Sequence, residues 1–379
     1  MKLINTIIKS ISDCFAVWRY ELLSIKKDIG VILMFVVVPL TYPILYGIIY
    51  NPETLRELPV VVVDESHSSL AREFIRKVDA APDVQIFNYS SSLEEAREIV
   101  DAKKAYGILH IPSDFSNRIN IGKQGLVALY IDMSSMLYYK SFLIAATEAS
   151  LEMGGKIHVQ TETPVLYESV SLYNSQSGFA SFLLPAILVL LIQQTLLLGI
   201  GMLTATTRER NNGLPIPSEY ACKGTFRVVA GKFMAYFIIY LPVCFWALIT
   251  VPYIFNIPQT SNYVALLLFS LPYLFACIFF SMMIATFIRG RETSMMVLVF
   301  TSLIFLFISG ISWPLSAIPD FWKYLGYLIP STFGIQGYVK INSMGADLWH
   351  IAFEYKMLWL QAGVYFIITC LIYRRFCKR

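Results

Sequence analysis

Residues 179–203, FASFLLPAILVLLIQQTLLLGIGML, decide the fold, because these 25 positions contain no charged side chain. An α-helix needs about 20 apolar residues to cross the hydrocarbon core of a bilayer, and a helix satisfies its own backbone hydrogen bonds there. The stretch therefore predicts a membrane-spanning helix.

Five further uncharged apolar stretches occur, at residues 29–50, 233–255, 263–288, 294–312 and 357–373. Composition agrees with a membrane protein, because 56% of the 379 residues are hydrophobic and 15% are charged, whereas soluble proteins carry about 25% charged residues. The stretch at 29–50 is too long for a signal-peptide core, so we expect it to remain as a span. The predicted fold class is a polytopic α-helical membrane protein with six transmembrane helices, here called spans 1 to 6.

Lysine and arginine alternate along the connections between the spans. Outside residues 51–178 they concentrate in segments 1–28, 204–232 and 289–293 and in the basic tail 374–379. Positively charged connections stay on the cytoplasmic side of a membrane. We therefore expect both termini in the cytoplasm and residues 51–178 outside it.

Residues 51–178 form an acidic insert with 11 Lys/Arg against 17 Asp/Glu. Short β-rich runs alternate there with helical patterns, which predicts an α/β extracytoplasmic domain between spans 1 and 2. Ser92-Leu-Glu-Glu95 indicates a capping-box variant in which Glu95 reaches back to the first free amides. The predicted strands are 60–64, 84–88, 106–111 and 126–132, and the predicted helices are 68–78, 92–103, 114–121 and 138–160.

Two segments are suited to the membrane surface. In residues 1–28 apolar side chains recur at helical spacing, which favours an amphipathic helix in the cytoplasmic interface over a plain cytoplasmic extension. Residues 313–345 are apolar, aromatic and broken by prolines. They predict re-entrant or interfacial helices in the outer leaflet.

The sequence lacks the usual sources of transport energy and of catalysis. Gly224 and Gly231 precede Lys232, but six residues separate the glycines and Phe233 replaces the magnesium-binding hydroxyl of a phosphate-binding loop. We therefore expect no ATP binding there and place Lys232 at the membrane interface. No Asp, Glu, Lys, Arg or His falls within the six stretches, and no histidine lies in a metal or triad pattern, which argues against ion-driven transport and enzymatic function.

The main strongly polar side chains within the spans are Gln193 and Gln194 of span 2 and Gln361 of span 6. They either hydrogen-bond between helices or line a substrate path.

The connection between spans 2 and 3 combines Arg208-Glu-Arg210 with the helix breakers Gly213, Pro215 and Pro217. Such a segment predicts a short polar helix and turn that docks on a soluble partner; a plain solvated loop is the alternative.

In the order of these motifs the chain resembles the permease subunit of export-type (type-2) ATP-binding-cassette transporters. The shared features are an amphipathic elbow helix before span 1, a large outer domain, Arg208–Gly213 and Pro215–Pro217, Gly231-Lys232, and Ser309-Gly310 followed by Pro314, Pro319 and Pro330. One departure is the run 211–214, Asn-Asn-Gly-Leu, where the family more often has an acidic residue and Gly-Thr.

The resemblance implies a permease that pairs with a second copy, as a homodimer or with a close paralogue, and rests on a cytoplasmic ATPase. ATP and Mg would be held by that ATPase, so this chain would carry no cofactor and would not be an enzyme. The residues implied for ATPase coupling are Arg19, Glu21, Arg208, Glu209, Arg210, Asn212, Gly213, Arg289 and Arg291. Those implied for a substrate path between spans 1, 2 and 5 are Gln193, Gln194, Ser309, Gly310, Trp313 and Pro314.

The expected function is ATP-driven export of an amphipathic, lipid-like or drug-like substrate across a bacterial cytoplasmic (inner) membrane. Membrane lipid is an expected partner, a periplasmic adaptor is an option, and nucleic acid is not expected. The alternative is a membrane-anchored sensor or assembly factor whose outer domain binds a ligand or another protein.

Overall fold

The computed structural model describes residues 2–50, 56–132, 136–156, 179–211, 213–216, 224–257, 263–310, 313 and 317–377. The chain divides into two compact units. One comprises Met1–Asn51 together with Phe179–Arg379, and the other comprises Pro52–Gly178. In the described residues the first unit is helical and the second holds a four-stranded sheet.

Six helices of the first unit are long and apolar enough to cross a membrane, which confirms the predicted number of spans. They are Ile29–Tyr50, Ser181–Arg210, Thr225–Ile254, Tyr263–Ala285, Arg291–Ile308 and Ala352–Phe376. Spans 1 and 3 each contain a π-helical turn, at Leu33–Val37 and Trp246–Thr250.

The helices of spans 2 and 3 extend beyond their apolar stretches. The connection expected at 204–232 is helical up to Arg210 and again from Thr225. Backbone hydrogen bonds, not apolar side chains, hold a helix together, so a helix can continue past the point at which its side chains become polar.

Span 2 is the centre of the helical unit. In its apolar segment 83% of the residues are buried, against 22% in span 1 and 17% in span 5. Close packing there depends on Gly199, where an added Cβ would overlap the ring of Phe35 of span 1. Gly201 likewise faces Ser294 of span 5. Small residues let the backbones of neighbouring spans approach each other.

The N-terminal helix, Lys2–Lys27, packs along the beginning of span 3. Val17 is buried at this contact, and a Cβ on Gly231 would lie 2.7 Å from the carbonyl oxygen of Cys14. Ile11 and Phe15 remain exposed on another side of the helix. One side of the N-terminal helix therefore packs on span 3, and another side exposes apolar residues. Such an exposed apolar side was predicted for this helix.

The segment after span 5 consists of two helices with different surroundings. Asp320–Gly326 exposes Phe321, Trp322 and Tyr324, as an interfacial helix would. Pro330–Met344 is mostly buried and packs against spans 2 and 4. A re-entrant or interfacial helix was predicted within 313–345, but the enclosure of this one among spans was not, because its mixture of glycine, polar and apolar residues shows no regular apolar stripe.

The second unit contains strands β1 (Leu58–Asp64), β2 (Val84–Tyr89), β3 (Gly107–Ile111) and β4 (Ala128–Ile131) in the order β2-β1-β3-β4. Strand β1 pairs in parallel with β2 and β3, and β3 pairs antiparallel with β4. The valines of β1 are buried on both faces of the sheet. The helices are Ser69–Asp79, Leu93–Asp101, Phe115–Asn120 and Met136–Lys156.

These strands and helices coincide with the predicted ones to within a few residues, although 157–160 of the last helix lie outside the described residues. The predicted cap is also present. The Ser92 hydroxyl accepts the N–H of Glu95 at 3.2 Å, and the Glu95 carboxylate accepts the N–H of Ser91 at 3.1 Å. Hydrogen bonds to this carboxylate, above all from the Ser90 hydroxyl, lower the pKa of Glu95.

The packing of span 2 can be tested with Gly199→Ala. Because the new methyl group would overlap the Phe35 ring, we expect the free energy of unfolding to fall by about 1–3 kcal/mol. The measurement is thermal unfolding of the purified protein in mild detergent. Gly363→Ala in span 6 is the matched control, since nothing lies within 4 Å of its added Cβ. Equal melting temperatures for the two variants would contradict the close contact.

Candidate functional site: the charged end of the helical unit

Polar and charged side chains join the ends of the spans at one end of the helical unit. This region, here called the charged end, contains Asp28 before span 1, Thr206 and Arg208 near the end of span 2, Thr286 after span 4, and Arg291 at the start of span 5. Spans 1 and 5 begin at this end, and spans 2 and 4 end there. The distribution of basic residues along the sequence predicts this alternating direction of the spans.

Asp28 is the centre of one network. Its Oδ1 accepts the N–H of Val31 at 3.4 Å and so caps span 1, while its Oδ2 lies 3.2 Å from the Thr206 hydroxyl and binds the Arg291 guanidinium. Arg291 Nε also donates to the Thr206 oxygen at 2.9 Å. The network ties spans 1, 2 and 5 together. Sequence reasoning missed Asp28, although its place just before an apolar run is typical of an N-cap.

Arg208 holds the end of span 4. Its Nη1 donates to the carbonyl of Ile288 at 2.8 Å and its Nη2 to that of Thr286 at 2.6 Å. The guanidinium also lies over the Phe376 ring of span 6, 5.7 Å from its centroid. Arg208 was expected to contact a soluble partner, but its guanidinium donates hydrogen bonds to carbonyl groups of its own chain.

Other predicted coupling residues are free to face outward. Glu209 and Arg210 follow Arg208 and are exposed, and Arg19 and Arg289 are exposed as well. The structure therefore separates the predicted set into residues that hold the charged end together and residues that present charge to the outside.

Gly213 turns the chain after span 2. Its φ of 85° belongs to the left-handed region, which glycine tolerates best, and its N–H donates to the carbonyl of Arg208 at 2.9 Å. The following Ile216 is buried in the helical unit. Asn212, predicted with Gly213, lies outside the described residues.

A buried ion pair joins the N-terminal helix to span 3. Lys232 Nζ donates to Glu21 Oε1 at 2.7 Å, and the Tyr236 hydroxyl donates to the same oxygen. Both charged side chains are only 2% exposed. Arg227 and Asp13, 2.8 Å apart, form a second tie nearer the beginning of span 3.

Two sequence-based interpretations change as a result. Lys232 was expected at the membrane interface, but it is enclosed between two helices. Glu21 was expected to couple to an ATPase, but it is buried against Lys232. A hydropathy pattern counts each charge separately, whereas the cost of burying Lys232 falls when a carboxylate on another helix pairs with it.

The two glutamines of span 2 have different surroundings. Gln193 Oε1 accepts the N–H of Ser331 at 2.6 Å, so Gln193 caps the buried helix Pro330–Met344 and fits the interhelical alternative. Gln194 is also buried, but neither its Oε1 nor its Nε2 has a hydrogen-bond partner among the described residues.

The remaining residues of the predicted substrate path do not form one cluster. Ser309 is buried, and its hydroxyl donates to Leu306 of its own helix at 2.6 Å. Gly310 ends span 5 with a φ of 88°. Trp313 is exposed, and Pro314 lies outside the described residues.

Comparison with known proteins identifies a family. A family model described as ABC-2 family transporter protein matches residues 29–371. ABC transporter G family member 20 from Dictyostelium discoideum is 23% identical over 297 residues, which make up 75% of this chain. The matched region makes up 39% of that relative, so this chain corresponds to well under half of its length.

The pair Glu21–Lys232 can be tested by a double-mutant cycle. Lys232→Met leaves a buried carboxylate without its counter-ion, and we expect a loss of about 3–5 kcal/mol of stability. Combining it with Glu21→Gln should recover part of this loss, because no uncompensated charge then remains. Thermal unfolding and the yield of monodisperse protein measure the effect.

Lys26→Gln is the control for the pair, since Lys26 is an exposed charge on the same helix. A Lys232→Met variant as stable as Lys26→Gln would show that the ion pair does not hold the helix to span 3.

Proposed function

This chain belongs to the ABC-2 family of transporter proteins, and from that premise we propose that it is the permease subunit of an ATP-driven exporter. It is a multi-pass membrane protein, and family membership implies a partnering ATPase. The observation that carries the proposal is the charged end, where the ends of the spans are bound to one another beside exposed charges. ATP and Mg belong, in this proposal, to the ATPase.

The ATPase docks on the exposed charges of the charged end. Glu209 and Arg210 lie at the end of span 2, and Arg289 lies in the short connection before span 5. Arg208 and the Asp28–Arg291 network fix the positions of these connections. Movement of the ATPase is thereby passed to spans 1, 2, 4 and 5 together, provided that the ATPase binds two permease conformations with different affinity.

Substrate passes beside the face of span 2 that carries Gln194. This face includes Leu198 and Gly201, one and two helical turns further on, and there Ser294 of span 5 donates to the Leu198 carbonyl at 3.2 Å. Buried amide atoms without partners are costly in a protein interior, which favours a ligand or a second polar surface at Gln194. Gln193, by contrast, has a structural role.

A second copy of the permease, identical or closely related, covers the exposed faces of spans 1 and 5. These spans have the least buried apolar segments of the six. Exposed side chains of span 5 include Met296, Val299, Phe300, Leu303 and Phe307. Apolar faces of this kind suit either lipid or another helix.

The proposed substrate is an amphipathic, lipid-like or drug-like molecule, since the apolar residues near Gln194 suit such a molecule. We place the protein in a bacterial cytoplasmic membrane by analogy with the family. Both termini are placed inside and residues 51–178 outside, because the basic connections gather at one end of the helical unit. A periplasmic adaptor would bind the outer unit. Recovery of no ATPase with the purified chain would instead favour the sensor or assembly function of that unit.

Docking is tested by reversing the exposed charges with the double variant Glu209→Lys/Arg210→Glu. We expect recovery of the ATPase in a mild-detergent pull-down to fall at least about tenfold, because complementary contacts become repulsive. The melting temperature should remain unchanged, since neither residue is buried. Asp320→Lys, a charge reversal on the exposed helix after span 5, is the control, and equal ATPase recovery from both variants would refute docking at this site.

The different roles proposed for Gln193 and Gln194 can be tested by replacing each with leucine. Gln193→Leu leaves the Ser331 amide unpaired and should cost about 1–3 kcal/mol of stability. Gln194→Leu removes amide atoms that have no partner, so stability should be unchanged or higher while ATP-dependent transport of an amphipathic dye in proteoliposomes changes. Wild-type transport rates for Gln194→Leu would exclude it from the substrate path.

A further inference from the structure

A groove of about 970 Å³ lies between the N-terminal helix and the beginning of span 3. Its walls are mainly apolar and come from Ile11, Phe15 and Trp18 on one side and from Phe226, Met234 and Ile238 on the other. The size is that of a site for a ligand, since such pockets occupy about 300–1,000 Å³. Neither the ATPase contact nor the substrate path described above uses it.

The residues that line the groove are partly exposed, so the groove opens on the outer surface of the helical unit. Ile11 is 64% exposed and Phe226 65%. Met234 and Ile238 are one helical turn apart on the exposed side of span 3, and the exposed Leu241 and Phe245 continue along that span. A strip of exposed apolar side chains therefore continues from the groove along span 3. An acyl chain beside a membrane-spanning helix would run in the same direction.

The other end of the groove is basic. Arg227 lines it, bound to Asp13 and still 27% exposed in its side chain. Lys9 is exposed on the N-terminal helix, next to the groove residue Ser10 at this end. Arg227 and Lys9 outnumber the single carboxylate of Asp13 at this end, which favours an anionic group.

Trp18 lies between the apolar part of the groove and its basic end, and its indole N–H is a polar group there. Its indole Nε1 is shielded from water and has no hydrogen-bond partner among the described residues. A buried N–H of this kind usually finds an acceptor, and indole rings favour the level of lipid headgroups. Ester or phosphate oxygens of a phospholipid lie at that level.

We propose that the groove is a binding site for an anionic phospholipid of the leaflet in which the N-terminal helix lies. One acyl chain follows Met234 and Ile238, an ester or phosphate oxygen accepts the Trp18 N–H, and the headgroup meets Lys9 and Arg227. The lipid thus completes the contact between the N-terminal helix and span 3 beside the Glu21–Lys232 pair. This inference rests on the membrane placement in the proposed function, but not on its ATPase or cargo.

The test uses Trp18 as the reporter in the full-length chain. The other five tryptophans are replaced by phenylalanine, and the protein is reconstituted in phosphatidylcholine vesicles with a small fraction of brominated phosphatidylglycerol or brominated phosphatidylcholine. Bromine quenches tryptophan fluorescence on contact, so the two titrations give the relative affinity for each lipid. We expect brominated phosphatidylglycerol to bind more tightly, by about fivefold for each basic contact made.

Two controls make the result specific. A chain with Trp359 of span 6 as its sole tryptophan reports on ordinary lipid contact and should show no preference between the lipids. Cys14→Phe places a ring in the groove and should reduce the preference seen by Trp18 to that of Trp359; gel filtration checks that it folds.

Equal quenching of Trp18 by both lipids would overturn the proposal. Loss of the preference when the ATPase is added would also overturn it, because the groove would then be a protein contact. A preference that persists in a chain that binds no ATPase would support the lipid site while refuting the exporter function.

Discussion

Hydrocarbon offers no hydrogen-bond partners, and this constraint shapes the helical unit. Each backbone amide within the membrane must bond inside its own helix, which accounts for the six long spans. Polar side chains left within the bundle are subject to the same cost. Lys232 meets it by pairing with Glu21, and Gln193 by accepting the Ser331 amide. Neither amide atom of Gln194 has a partner among the described residues, which is why the proposed substrate path is placed beside it.

The same constraint places most of the other charges at the ends of the helices, where several of them tie neighbouring helices together. Arg208 binds carbonyls at the end of span 4, and Asp28 binds Arg291 across spans 1, 2 and 5. A protein that docked on the neighbouring Glu209 and Arg210 would push on helices that are already tied together. In the proposed docking, coupling would depend on two layers of residues, one that touches the partner and one that transmits its movement.

Periodicity and composition predicted much of the architecture. The uncharged runs correspond to the six spans, and the alternation of β-rich and helical patterns corresponds to the elements from β1 to the helix Met136–Lys156. Local rules also predicted the Glu95 cap. The burial of the helix Pro330–Met344 escaped prediction because its environment, not its own pattern, keeps it inside.

The sequence by itself determined which segments cross a membrane, where turns such as Gly213 fall, and the alternation of basic connections, because hydropathy, backbone strain and charge act over a few neighbouring residues. Only the tertiary structure decided which charges are paired. Glu21 and Lys232 are 211 positions apart, and Arg208 finds its acceptors 78 and 80 positions away. Side chains that look equally available in a sequence become buried ties or exposed contacts through the packing of helices, since the cost of a buried charge depends on what lies opposite.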